Sequence, residues 1–141
     1  MSETQERTTL DDFGYGILAG LVANGNLLLD EKRRDKLHDA FLEAFIVVEE
    51  AVGIQSLDFY LKSDEARSLP ANVDRIIYSW RNKHCALRAE PSDTMHMLYL
   101  TSAQAQEITA HILGGLELYR RAATRLIEYL NTPYIPLEST T

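Results

Sequence analysis

The feature that most constrains the fold is a single apolar stripe in the last third of the chain. Ala105, Ile108, Ile112, Leu116, Tyr119, Ala123, Leu126 and Leu130 follow one another in steps of three or four residues. That spacing keeps one side of an α-helix apolar over its whole length. Thr101-Ser-Ala-Gln104 ahead of the stripe has the pattern of a capping box, in which hydroxyl and amide side chains satisfy each other's free backbone N–H. Asn131-Thr132-Pro133 ends it, because proline removes a donor and disfavours helical geometry in the residue before it. The expectation is one long helix over about 101–130, entered from an extended run at 95–100.

Gly114-Gly115 interrupts this stripe, and each glycine costs a helix interior about 1 kcal/mol relative to alanine. Gly115 and Ala122 lie seven residues apart, so small residues line one flank. Gly114, Gly115 and Ala122 are therefore expected to admit another backbone closely, with a hinge or a ligand gap at the glycine pair as the alternative. The counterpart is expected in the first helix, Leu10 to about Ala23, where Gly16 and Gly20 are four apart. Contact could be made within the chain or across a dimer. Thr9 is its expected N-cap, with Asp11 and Asp12 in the first turn, and Asn24-Gly25-Asn26 its end. A second amphipathic helix is expected over about 31–52, capped by Asp30 and stopped by Gly53.

Residues 73–100 support two readings. Val73, Ile76, Ile77 and Trp80 are spaced for a helix face. The same stretch is rich in the β-branched and aromatic residues that favour strands, with turn-forming Arg81-Asn82-Lys83 and Glu90-Pro91-Ser92-Asp93 between apolar runs. The strand reading is preferred, with strands near 73–80, 84–89 and 95–100. The expected fold is thus α+β: two N-terminal helices, a small antiparallel sheet at about 73–100, and a long C-terminal helix. The alternative is an all-α bundle. With 141 residues, 45% hydrophobic and 25% charged, one domain spanning 1–141 is expected, with residues 1–8 and 133–141 as tails.

The net charge of -7 belongs to the first half. Residues 1–70 hold seven Lys+Arg against 14 Asp+Glu, whereas residues 71–141 balance at seven each. Such a chain makes a poor nucleic-acid binder, since phosphate contact needs a basic face. One cysteine, Cys85, allows no intrachain disulfide. The longest apolar run, Phe13 to Ala23, is far short of the roughly 20 residues of a membrane span. A polar first segment without an apolar core gives no secretion signal. These points favour a cytoplasmic protein that does not enter the membrane.

No phosphate-binding glycine loop or serine nucleophile elbow is present. Asp35-x-x-His38 and Asp93-x-x-His96 have the spacing of metal-ligand pairs in helical bundles, though with aspartate in place of the usual glutamate. Cys85 follows His84, but adjacent side chains diverge, so a thiolate–imidazole pair is not expected. Met95 and Met97 share a face on a strand, where core packing is the ordinary use of thioethers. No catalytic residue, metal or cofactor is therefore expected.

Arg75, Tyr78, Trp80 and Arg81 combine the residue types that concentrate binding energy at protein interfaces, and form the candidate partner-binding patch. The expected function is a non-enzymatic protein–protein interaction or regulatory module, working as a homodimer. The alternatives are a metal-binding helical bundle, and an acidic decoy for a nucleic-acid-binding protein built on Asp35, Asp39 and Glu43.

Overall fold

Among the described residues five α-helices surround one apolar core, and the most deeply buried of them is the first. The computed structural model describes residues 7–30, 34–59, 68–82, 86–88 and 95–131. Helix α1 (Leu10–Ala23) buries an unbroken run from Gly16 to Leu21, together with Phe13 and Gly14. A helix apolar on every side must be enclosed, and α1 is covered by the helices that follow. Thr9 caps it through a full capping box with Asp12, the two donor–acceptor distances being 3.1 and 3.5 Å. Its other end closes as a Schellman motif: the Gly25 N–H donates to the Val22 carbonyl and the Asn26 N–H to that of Leu21. Gly25 takes the positive φ this requires, at 85°.

Helix α2 (Arg34–Val52) turns Leu37, Ala40, Phe41, Ala44, Phe45 and Val48 inward, a single stripe at helical spacing. The expected start at Glu31 lies outside the described residues. Gly53, at φ 90°, terminates the helix by donating its N–H to the Glu49 carbonyl. A short 3-10 turn, Ile54–Ser56, leads to Leu57, which pairs with Thr8 in an isolated parallel bridge. Thr8 is consequently buried rather than part of a free tail.

The strand expectation for 73–80 is overturned. Helix α3 (Ser68–Asn82) runs through it, with Pro70 in the first turn, where no intrahelical N–H bond is lost. Val73, Ile76, Ile77 and Trp80 are all buried on one face. Burial against α1 and α2 outweighs the strand propensity of these residues, which is a property of packing more than of backbone.

The antiparallel sheet of the α+β fold survives in smaller form. Strand β2 (Ala86–Arg88) and β3 (Met95–Leu98) pair as expected, but a third strand, β1 (Leu28–Asp30), comes from the N-terminal half. The order is β1-β3-β2, with Leu28 opposite Met97, and Met97 opposite Leu87. Side chains alternate across the sheet: Leu29 and Leu98 enter the core, while Leu28 and Met97 face away.

The long C-terminal helix is two helices. Helix α4 (Ser102–Thr109) opens with the expected Thr101–Gln104 capping box, at 3.1 and 2.8 Å. The chain then breaks, and α5 (Gly115–Asn131) resumes. Gly114 and Gly115 sit at φ 88° and 61°, a left-handed pair that no continuous helix contains. Ile112, within the break, still reaches the core, but the next stripe residue, Leu116, is only partly buried and Leu118 takes the core position instead. Helix α5 lies chiefly on α1 and α2, and α4 on α1. Among the described residues, no helix is long and apolar enough to cross a membrane.

At the centre, Phe13 meets Phe45, Phe59 and Tyr119 with ring centroids 6.1, 5.3 and 6.2 Å apart. Phe41 stands 6.0 Å from Trp80. Such tilted and edge-on arrangements suit the aromatic quadrupole.

Candidate interaction surfaces

The proposed partner-binding patch divides across α3. Arg75, Tyr78 and Arg81 lie on its outer face and are exposed. Trp80 does not belong with them. It is 1% exposed, packs on Phe41, and donates its indole N–H to the Gly14 carbonyl at 3.2 Å. That bond satisfies the buried indole N–H, so Trp80 is a structural residue joining α3 to α1. Arg75 extends toward Asp11, at 3.4 Å. Tyr78 stands exposed between Arg75 and Arg81 in sequence.

The small residues also divide. Gly16 and Gly20 face Tyr119 of α5: a Cβ on Gly16 would lie 2.5 Å from the Tyr119 ring, and one on Gly20 would overlap the Tyr119 carbonyl. The close approach therefore involves the backbone of Tyr119. Ala122 is fully buried. Gly115 has open space where a Cβ would go, so its role is the left-handed turn, not a close contact. A Cβ on Gly114 would meet the Leu118 side chain.

The acidic face of α2 is engaged with α5. Arg125 donates from Nη2 and Nε to Glu43 Oε1 at 2.7 and 3.0 Å. The Tyr129 phenol is shifted above its ordinary pKa by partial burial, then by the nearby charges of Asp39 and Glu43, and by a hydrogen bond with Asp39. Two of the three carboxylates that suggested a phosphate-mimicking surface thus hold two helices together.

His38 is buried and has Nε2 3.3 Å from Asp74 Oδ1, an α2–α3 contact that the Asp35 spacing did not suggest. Among the described residues no three His, Cys, Asp or Glu side chains come together as a metal site. His84, Cys85 and Asp93 lie outside the described residues.

The surface that sequence reasoning missed is the open face of the sheet. Leu28 is 57% exposed and Met97, directly across from it, 51%. Leu27 at 49% and Tyr99 at 66% adjoin them in sequence. An alternating strand pattern could have indicated this face, but β1 has only three residues, too few for a period to register.

No protein family, curated protein or solved structure matches this chain.

Proposed function

We propose that this protein is a non-enzymatic interaction or regulatory module that works as a homodimer, with the open face of its sheet as the contact. The observation that carries this reading is the Leu28–Met97 cross-strand pair, both side chains more than half exposed and flanked by Leu27 and Tyr99. Leu28, Met97 and Tyr99, on one side of the strands by alternation, present on the order of 300 Å² of largely apolar surface, within the range of the largest patch on a typical monomer, which is often functional. That is under half of the ~800 Å² that each partner contributes to a standard interface.

A second copy of the chain is the occupant that fits. The chain carries a net charge of -7, so two copies repel over most approaches. These four side chains are uncharged, and a two-fold interface sets such a patch against itself. The same lack of cations argues against nucleic acid. A reducing, cytoplasmic setting suits a chain with one cysteine.

Sedimentation equilibrium of the wild type and Met97→Glu tests the reading. The wild type should be dimeric, and the variant monomeric with an unchanged far-UV spectrum. A monomeric wild type at all accessible concentrations would overturn the homodimer. A variant that remains dimeric would overturn this face as its interface.

A further inference from the structure

Helices α1 and α5 run side by side in the same direction, since Gly16 and Gly20 abut Tyr119 while Asn24 reaches Arg120 and Thr124. Where α1 stops, a cleft of about 700 Å³ opens, lined by Asn24, Asn26, Arg120, Thr124, Glu128 and Asn131.

Asn24 organises this cleft. Its Nδ2 donates to the Arg120 carbonyl at 3.0 Å and to Thr124 Oγ1 at 3.2 Å, and its Oδ1 accepts from Arg120 Nε at 2.8 Å. The guanidinium is held through Nε, which leaves both Nη groups as a fork. No carboxylate among the described residues forms an ion pair with Arg120. A planar fork held in place favours a carboxylate, and part of the ordering cost is met before binding.

The rest of the cleft selects against strong anions. Two helices run toward this end, so two negative macrodipole ends lie nearby. Glu128 adds a carboxylate, shared with Arg125 at 3.8 Å. A group of positive charge suits that side. Arg120 and Glu128 are two turns apart on α5, about 12 Å along the axis. Ile127 lines the cleft as well, an apolar surface for a methylene chain.

We propose that this cleft binds a small zwitterion, with its carboxylate on the Arg120 guanidinium and its ammonium group toward Glu128. The separation of the two charges suits an ω-amino acid with several methylenes, or a di- or tripeptide, better than an α-amino acid.

Amide NMR titration with glycine, 4-aminobutanoate, 6-aminohexanoate, hexanoate and hexylamine tests this. Saturable shifts at Asn24, Arg120 and Thr124 should be strongest with 6-aminohexanoate. Arg120→Gln should weaken that binding about tenfold or more, the scale of a lost charge-assisted bond. Because Arg120 also bonds Asn24, Glu128→Gln supplies an independent variant at an exposed side chain. It should erase the preference for 6-aminohexanoate over hexanoate while leaving hexanoate binding unchanged or tighter. No saturable binding by any probe would overturn the site. Equal affinity of the wild type for 6-aminohexanoate and hexanoate would overturn the zwitterion assignment.

Discussion

Three glycines of the first helix are packed too closely for a free Cβ, and they differ in what surrounds them. At Gly14 a Cβ would meet the two Cγ atoms of buried Ile76 at 3.0 and 3.1 Å, so Ile76 must give by a few tenths of an ångström. At Gly16 it would press on the Tyr119 ring, which is fully buried and has little room to move. At Gly20 it would overlap backbone. Alanine gains about 1 kcal/mol of helix propensity at each position, so the net effects should be graded. Urea denaturation should find Gly14→Ala close to neutral, Gly16→Ala destabilised, and Gly20→Ala worst, by about 3 kcal/mol. Tyr119 also offers a pH test. Its hydroxyl is buried with no hydrogen-bond partner among the described residues. Burial, and secondarily the charge of Asp12, raise its pKa well above the usual value. The unfolded phenol ionises near pH 10 while the folded one stays protonated, so the stability tied to this group is whole below about pH 10 and falls above it. Tyr119→Phe removes the unpaired hydroxyl. It should leave neutral-pH stability within about 1 kcal/mol of wild type, and flatten the alkaline decline that thermal melts between about pH 9 and 11 should show for the wild type.

At the scale of elements, the decisive event is the break between α4 and α5. In the sequence the apolar stripe runs through it, with Ile108, Ile112 and Leu116 at helical spacing, so periodicity does not reveal it; in the fold Leu118 rather than Leu116 enters the core after the turn. Two consecutive left-handed glycines make the turn. Each should resist substitution, and not equally. Gly115→Ala meets open space and bears mainly the left-handed backbone penalty, about 1–2 kcal/mol. Gly114→Ala bears that penalty and also collides with Leu118, a buried side chain of α5. Chemical denaturation should rank Gly114→Ala as the more damaging, and amide exchange should show its loss concentrated in residues 110–118. The acidic flank of α2 shows the same dependence on neighbours. Glu43 looks like solvated surface in the chain, yet it forms a half-buried ion pair with Arg125 that only the docking of α5 creates.

On the scale of the whole molecule, the proposed dimer would set net charge against the open sheet face. If two copies of a chain at -7 join through Leu28, Met97 and Tyr99, added salt should screen their repulsion without weakening the apolar contact. The dimer dissociation constant should therefore fall as sodium chloride is raised from low to moderate concentration, measured by sedimentation; a constant that rises would point to an interface held by ion pairs. The division between chain and fold is equally clear here. Capping at Thr9 and Thr101, the stop at Gly53 and the inward face of α2 were legible in the sequence, because each depends on residues within a few positions of one another. The α+β class was legible too, through the apolar runs at 86–88 and 95–98. Four things came from tertiary structure alone. Val73–Trp80 is helical because α1 and α2 cover one side of it. Trp80 is core because the Gly14 carbonyl is within its reach. Strand β1 exists because β3, far along the chain, offers it a partner. Gly16 and Gly20 meet Tyr119 rather than the Gly114–Gly115 pair, because those two glycines turn the chain instead of lining a helix. Short-range hydrogen bonding and periodicity are written in neighbouring residues; which apolar surface covers which, and which is left bare, is decided only when distant segments compete for the same contacts.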